Sequence, residues 1–415
     1  MFSKSILVLV LKIIAAICSF LLNIVLVRQL GSEDSGHFFY YQTQVLFFSV
    51  LATLGLQSLI IKESALLGVG GRKALPMIKG IPVVALLVSS IITLAIYLYG
   101  VHFTNDLYPS SQAIKLGVGV FFISLNVIFC SLNQGIGNYY FSVFFQTLFF
   151  NLSLLLIMLG IGKELSTEAV INLYILSLVV GVILQAIYLL NSKLISARDV
   201  FLSKIDFKLL FLSCLPFLVM VGSERAMLLV IQFFLEKHAS SQAISYFVVI
   251  VRIVAVPVLI LSSVNVMLSR KISISYNCSD ISDLELTAKK ASRIVIPISI
   301  MFFLIILILS EYILSIFGDE FKGIKIPLII AALGQCINLA TGTVSIFLLM
   351  TGNEKKLRNS LFSSLVIMII YVCFSYDEFT LINAVVAFSI YQIMSNSISW
   401  LYVKKELGIN TIKVF

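Results

Sequence analysis

Four charged residues stand inside long apolar segments of this sequence: Lys12, Glu224, Arg225 and Arg252. At the centre of a membrane helix each such charge costs about 2.5–3.5 kcal/mol on insertion scales, so these side chains usually face a bundle interior or a wet cavity. Three cations and one acid give such a cavity a positive surplus, which attracts anions strongly where the dielectric is low. Arginine also offers a planar fork that suits phosphate. The charges therefore predict a binding site for an anionic, phosphorylated ligand.

Lys12 has polar and small neighbours on its own helix face. Ala15, Ala16, Ser19 and Asn23 follow it at offsets of 3, 4, 7 and 11 residues, which places them on one stripe. Lys12 and Asn23 are accordingly predicted to bind substrate. Small residues on a membrane helix also indicate helix packing, and a lysine near a helix end can extend to the interface, so a packing role is the alternative.

Glu224 and Arg225 are adjacent in sequence but do not form an obvious pair. Neighbours on a helix diverge by about 100°, so the two side chains need different partners. Arg225 shares a face with Gln232, seven residues on, and both are predicted to bind substrate. Glu224 is a weaker candidate, for coupling transport to protons. A buried charge network that fixes helix register is the alternative.

Prolines interrupt the segments that carry these charges. Pro216 lies in the segment of Arg225, and Pro257 lies in the segment of Arg252. A proline inside a helix removes a backbone hydrogen bond and kinks the helix. Kinked helices beside buried charges predict a cavity that opens and closes.

The amino-acid composition indicates whether water or lipid surrounds these segments. Of the 415 residues, 60% are hydrophobic and 12% are charged, whereas a soluble domain is about half apolar and about a quarter charged. Apolar runs of roughly 20 residues, the length needed to cross a bilayer as helix, recur along the chain. The sequence therefore predicts an all-α polytopic membrane protein with about twelve transmembrane helices. The predicted spans are 5–27, 39–61, 81–100, 114–133, 139–160, 170–190, 209–234, 243–268, 294–317, 327–350, 359–376 and 380–402.

Basic residues are distributed unevenly between the connections. With a cytoplasmic N-terminus, 20 of the 29 Lys and Arg residues fall on the cytoplasmic side, six on the opposite side and three inside spans. Because Lys and Arg accumulate in cytoplasmic loops, this bias predicts that both termini are cytoplasmic. The net charge of +9 is then a topology signal, and no nucleic-acid partner is expected.

The connections are short, and the two halves resemble each other. The longest outer connection is 101–113 and the longest inner one is 269–293, which leaves no room for a catalytic domain, so no enzyme is expected. The region VRQLGSEDSGHFFYYQTQVLFFSVLATLGLQS aligns loosely with IQFFLEKHASSQAISYFVVIVRIVAVPVLILSS. Parallel repeats of this kind occur in transporters. We therefore predict an N-lobe at 1–190, a cytoplasmic linker at 191–208, a C-lobe at 209–402 and a cytoplasmic tail at 403–415.

Motifs for metal and nucleotide chemistry do not occur. The sequence contains no HExxH, GxxxxGK[ST] or GxSxG pattern. We expect no cofactor. Coupling to H⁺ or Na⁺ stays open, although the spans contain no dense cluster of acidic residues that would support it.

Two stretches resemble the Wzx-type polysaccharide flippases of the MOP (MATE-like) superfamily. LKIIAAICSFLLNIVLVRQLGSEDSGHFFYYQTQVLFFSVLATLGLQSLIIKESA resembles the opening helix pair of that family, and EYILSIFGDEFKGIKIPLIIAALGQCINLATGTVSIFLLMTGNEKK resembles its ninth and tenth spans. The resemblance extends over nearly the whole chain and consists of residue types, without a catalytic fingerprint.

This resemblance implies a transporter with two pseudo-symmetric six-helix lobes in a V, working by alternating access in the bacterial inner membrane. The implied cargo is an undecaprenyl-diphosphate-linked oligosaccharide for O-antigen, lipopolysaccharide or capsule assembly, and the implied partners are a glycan polymerase and a chain-length regulator. The family's cationic lumen maps onto Lys12, Arg225 and Arg252, and Arg28 matches a recurrent basic position that could equally anchor the first helix.

Other functions stay open at this point. A multidrug exporter of the same superfamily would favour acidic residues in the cavity, and a lipid II flippase would favour extra C-terminal helices. A membrane polymerase or ligase normally uses a large periplasmic loop. The sequence shows none of these features.

Overall fold

The computed structural model describes residues 2–57, 60, 61, 64, 87, 88, 90–95, 98, 110–161, 165–191, 207–278 and 280–411. Regular structure within these ranges is helical, with no strand. The predicted third span at 81–100 lies partly outside them, although 87, 88, 90–95 and 98 are helical. Most of the predicted linker at 191–208, and residues 412–415 of the predicted tail, also lie outside the described residues.

The helices follow one another with short connections. In chain order they are α1 Phe2–Thr53, α2 Ser110–Gly135, α3 Tyr139–Val143, α4 Phe149–Ile161, α5 Thr167–Asn191, α6 Phe207–His238, α7 Ser241–Val254, α8 Val256–Asn277, α9 Ile281–Ser315, α10 Lys325–Ala340, α11 Val344–Met350, α12 Glu354–Phe374 and α13 Leu381–Leu407. A π-helical turn, Phe144–Leu148, joins α3 to α4, and 3₁₀ turns occupy Asp319–Ile324 and Tyr376–Glu378.

Within the described ranges, ten helical segments are long and apolar enough to cross a membrane. The first of them, Val10–Thr53, covers most of the first two predicted spans, 5–27 and 39–61. Its continuity is interrupted at Gly31, whose φ of 79° and ψ of 174° are not helical. A glycine takes this conformation without the steric cost that a side chain would bring. Gly31 therefore divides α1 into two arms, each close to the length of one predicted span.

The helix ends can be compared with two of the predicted connections between spans. The predicted break between the last two spans is confirmed, because α12 ends at Phe374 and α13 begins at Leu381. The predicted inner connection at 269–293 is mostly helical, because α8 continues to Asn277 and α9 starts at Ile281. Asp280 caps α9 by accepting a hydrogen bond from the backbone N–H of Asp283 at 2.9 Å. A search for apolar runs does not detect a helix in a polar segment.

By contacts between Cα positions the chain forms two compact units. The first contains residues 1–34 and 40–225, and the second contains residues 35–39 and 226–415. The boundary falls inside α6, between Arg225 and Ala226. The predicted lobes at 1–190 and 209–402 stay a prediction.

Polar side chains connect helices inside the first unit. Gln185 of α5 donates from Nε2 to Oδ1 of Asn126 of α2 at 2.6 Å, and the Cys130 thiol donates to Oε1 of Gln185 at 3.2 Å. The Tyr41 hydroxyl donates to the Lys115 carbonyl at 2.9 Å. Because lipid is as apolar as leucine, membrane helices associate through close packing and hydrogen bonds of this kind.

The second unit uses the same chemistry between α10 and α13. Asn338 of α10 donates to Oε1 of Gln392 at 3.3 Å and accepts a hydrogen bond from Asn396 of α13. At Gly334 an added Cβ would lie 2.5 Å from the Ser389 hydroxyl, so only glycine allows this approach of α10 to α13. These contacts fix the two helices against each other.

Candidate functional site

The predicted site residues lie on three helices. Lys12, Asn23 and Arg28 are on the first arm of α1, Glu224, Arg225 and Gln232 are on α6, and Arg252 is on α7. Gln232 and Arg252 belong to the second unit and the other five to the first. That they surround one cavity stays a prediction.

The stripe of small and polar residues on the first arm of α1 is only partly accessible at the surface. Lys12 is exposed, whereas Ala15 and Asn23 are buried, each with 4% of its surface exposed. The Asn23 side chain donates from Nδ2 to the Ser19 carbonyl of its own helix at 2.5 Å. Arg28, three residues before the Gly31 break, is exposed. Lys12 and Arg28 are therefore accessible cations of this arm, while Asn23 packs inside the unit.

The two adjacent charges of α6 have different surroundings. Glu224 is exposed and Arg225 is half-buried. Among the described residues neither takes part in an ion pair.

Gln232 lies two turns further along α6 and is buried, with 2% of its surface exposed. Its Oε1 accepts no hydrogen bond within the described part of the chain. Leaving a buried acceptor unsatisfied costs about 1–3 kcal/mol. Contact between Gln232 and a cargo would require this part of α6 to become accessible.

Arg252 stands beside a break in its span, as the position of Pro257 predicts. Helix α7 ends at Val254, Ala255 forms the junction, and Pro257 lies in the first turn of α8. Pro257 cannot donate a hydrogen bond to the carbonyl four residues before it. Arg252 is half-buried in the last turn of α7, where a cation is favoured by the helix dipole. By contrast, α6 continues as one helix through position 216.

A polar cluster that sequence reasoning missed joins α1 to the start of α7 in the second unit. We call His37, Glu236 and Ser241 the His37 cluster. The Ser241 hydroxyl donates to Oε2 of Glu236 at 3.0 Å and lies 3.2 Å from Nδ1 of His37. Nδ1 of His37 is 3.6 Å from Oε1 of Glu236. With the single hydroxyl proton directed to the carboxylate, Nδ1 is the donor toward Ser241 in the tautomer that carries a proton on that nitrogen.

This proton arrangement differs from that of a hydrolytic triad, in which an imidazole nitrogen accepts the serine proton. The cluster connects residues of α1, α6 and α7. Gly36 and Ser35 reinforce it: an added Cβ at Gly36 would lie 2.5 Å from the carbonyl carbon of Ser241, and the hydroxyls of Ser35 and Ser245 are 2.8 Å apart. No sequence pattern indicates this cluster, because His37 and Ser241 are 204 residues apart in the chain.

No group of three His, Cys, Asp or Glu side chains within the described ranges is arranged to hold a metal ion.

Comparison with known proteins places the fold. The sequence matches no protein-family model and no curated protein. A multidrug resistance MATE family transporter of the MOP superfamily, in an inward-facing conformation, has a TM-score of 0.75 at 15% identity, over 95% of this chain and 94% of that one. The chain has the fold of the MATE transporters. The all-α polytopic architecture predicted from hydropathy is thereby confirmed.

Two further structures with the MATE fold are relevant to the site. The MATE multidrug transporter DinF-BH, solved as a complex, has a TM-score of 0.69 at 17% identity, over 99% of this chain and 95% of that one. A MOP superfamily transporter from Pyrococcus furiosus has a TM-score of 0.65 at 14% identity, over 97% of this chain and 94% of that one. The Pyrococcus protein is described as having a binding pocket of reverse polarity that suggests a different function.

Proposed function

We propose that this protein is a flippase that moves an undecaprenyl-diphosphate-linked oligosaccharide, a repeat unit of O-antigen or capsule, across the bacterial inner membrane. The observation that carries the proposal is the sign of the charge inside the spans, where Lys12, Arg225 and Arg252 outnumber Glu224. The MATE fold supports the transporter class.

The cations suit a diphosphate because of where they lie. Lys12 is exposed, and Arg225 and Arg252 are half-buried, so these side chains reach a surface. A partly dehydrated guanidinium binds phosphate through charge-assisted hydrogen bonds, each worth about 1.5–3 kcal/mol. Arg252 also stands next to the α7–α8 junction, so a change in the angle of this junction would move the guanidinium.

In this proposal the cargo diphosphate binds the cations while the sugars occupy the cavity and the lipid tail stays in the bilayer. Alternating access requires two conformations that bind the cargo differently. Both termini are proposed to be cytoplasmic, and a glycan polymerase and a chain-length regulator are the proposed partners on the far side of the membrane.

Multidrug export is a second candidate, because the structures that share this fold include the multidrug transporter DinF-BH. Glu224, which is exposed, would be the residue to meet a cationic drug. The Pyrococcus furiosus protein supports the idea that this fold accommodates pockets of different polarity. A lipid II flippase would share the diphosphate chemistry of the first candidate.

Complementation of a flippase-deficient strain tests the proposal. We expect Arg225→Ala and Arg252→Ala to lower surface glycan about 10- to 100-fold, which corresponds to losing one charge-assisted contact, and the Lys variants to keep part of the activity. The matched control is Arg358→Ala, because Arg358 is, like Arg225 and Arg252, a half-buried arginine, and it donates to its neighbour Asn359. Normal glycan in both Ala variants would refute the assignment of these cations.

A further inference from the structure

The second unit contains an apolar groove between the end of α10 and the last turns of α13. It has a volume of about 290 Å³ and is lined by Ile337, Ala340, Thr341, Ser397, Trp400 and Leu401. Its rim is open, since Ile337 is 41% exposed and Leu401 is 55% exposed. The Thr341 hydroxyl donates to the Asn338 carbonyl at 2.6 Å, so it offers no free proton to a ligand.

The groove is held in shape by the segment that follows α13. Nε1 of Trp400 donates to Oδ1 of Asn410 at 3.2 Å, which orients the indole ring. The Thr411 hydroxyl donates to the Thr341 carbonyl at 2.8 Å and ties the segment to the end of α10. Thr411 itself is buried, with 1% of its surface exposed. These hydrogen bonds therefore hold the walls of the groove in place.

A cation stands at one end of the groove. Lys404 follows Ser397, Trp400 and Leu401 on the same face of α13, and its ammonium lies 5.4 Å from the centroid of the Trp400 ring. Lys404 is exposed and, within the described ranges, forms no ion pair. The charge of Glu406, by contrast, is matched by the ion pair that it forms with Lys356.

We propose that this groove is a binding site for an anionic phospholipid of the surrounding bilayer. The acyl chain lies against Ile337, Ala340 and Leu401, and the headgroup phosphate meets Lys404. Tryptophan at the end of a span favours the membrane–water interface, and basic pockets between transmembrane helices bind anionic lipid headgroups. An open apolar groove on membrane helices is filled by lipid, and the ammonium of Lys404 selects the charge of that lipid.

The chain carries its own reporter, because Trp400 is its only tryptophan. The full protein is reconstituted in vesicles that contain, at equal mole fraction, phosphatidylglycerol or phosphatidylcholine brominated at the same acyl carbons. Bromine quenches indole fluorescence on contact. We expect brominated phosphatidylglycerol to associate with Trp400 about fivefold more strongly, which corresponds to about 1 kcal/mol for one lysine near an anionic surface.

Adjacent lysines provide the matched variants. Lys404→Gln should abolish the preference, whereas Lys405→Gln should keep it, because Lys405 lies about 100° around α13 from the groove face. Ala340→Phe, which fills the groove, should weaken quenching by both lipids. Both lysines are exposed, so neither change threatens folding. Equal quenching by the two lipids in the unaltered protein, equal losses in the two Gln variants, or no quenching at all would each overturn the proposal.

Discussion

The contact between Gly36 and the start of α7 leaves no room for a side chain, which gives a sharp prediction for Gly36→Ala. An added Cβ would lie 2.5 Å from the carbonyl carbon of Ser241 and 3.3 Å from its Cα. Ordinary contacts begin at 3.4 Å, and the Ser241 carbonyl oxygen would lie nearer to the Cβ than the carbonyl carbon does, so the two backbones must separate by more than about 1 Å. That separation also disturbs the hydrogen bonds of the His37 cluster.

Overpacking of this kind typically costs about 1–3 kcal/mol. A domain of roughly 200 residues loses about 2–4 °C of Tm per kcal/mol, so Gly36→Ala should lower the Tm of the purified protein by about 3–10 °C. The measurement is size-exclusion chromatography after stepwise heating in detergent. The control is Gly160→Ala, because Gly160 lies in α4 with open space where a Cβ would be. An unchanged Tm for Gly36→Ala would refute the close approach.

Other consequences are testable with single changes. Asn338→Ala removes hydrogen bonds to Gln392 and Asn396. Since such bonds between membrane helices average about 0.6 kcal/mol each, we expect the free energy of unfolding to fall by about 1 kcal/mol. A Tm equal to that of the unaltered protein would contradict this. A reporter fused near Asn105 should show a periplasmic position and one near Asp280 a cytoplasmic one; swapped positions would reject the proposed orientation. If Glu224 couples transport to protons, Glu224→Gln should remove the response of reconstituted transport to an imposed pH gradient. A transport rate of the unaltered protein that does not change with the gradient would refute that role.

Hydropathy and loop charge were enough to predict most helices, because crossing a bilayer imposes a length and a composition that few other structures need. The break between the predicted spans 359–376 and 380–402 was correctly predicted, and so was the interruption of a span at Pro257. The helical continuation through 269–277 and 281–293 was missed, because the continuous apolar pattern stops there.

The site was predictable in residue type but not in orientation. Helix periodicity placed Lys12 and Asn23 on one stripe, yet Lys12 is exposed and Asn23 is buried, since a stripe can be open at one level and packed at another. The His37 cluster escaped because His37 and Ser241 are 204 residues apart in sequence and meet only in the folded chain.

The most direct test compares two cargoes of opposite charge in proteoliposomes that contain the purified protein. A fluorescent undecaprenyl-diphosphate oligosaccharide should change leaflets at a rate that falls in Arg225→Ala and Arg252→Ala but not in Arg358→Ala, and the cationic dye ethidium should not be transported. Transport of ethidium without movement of the diphosphate lipid would contradict the claim that the positive charge within the spans selects an anionic cargo.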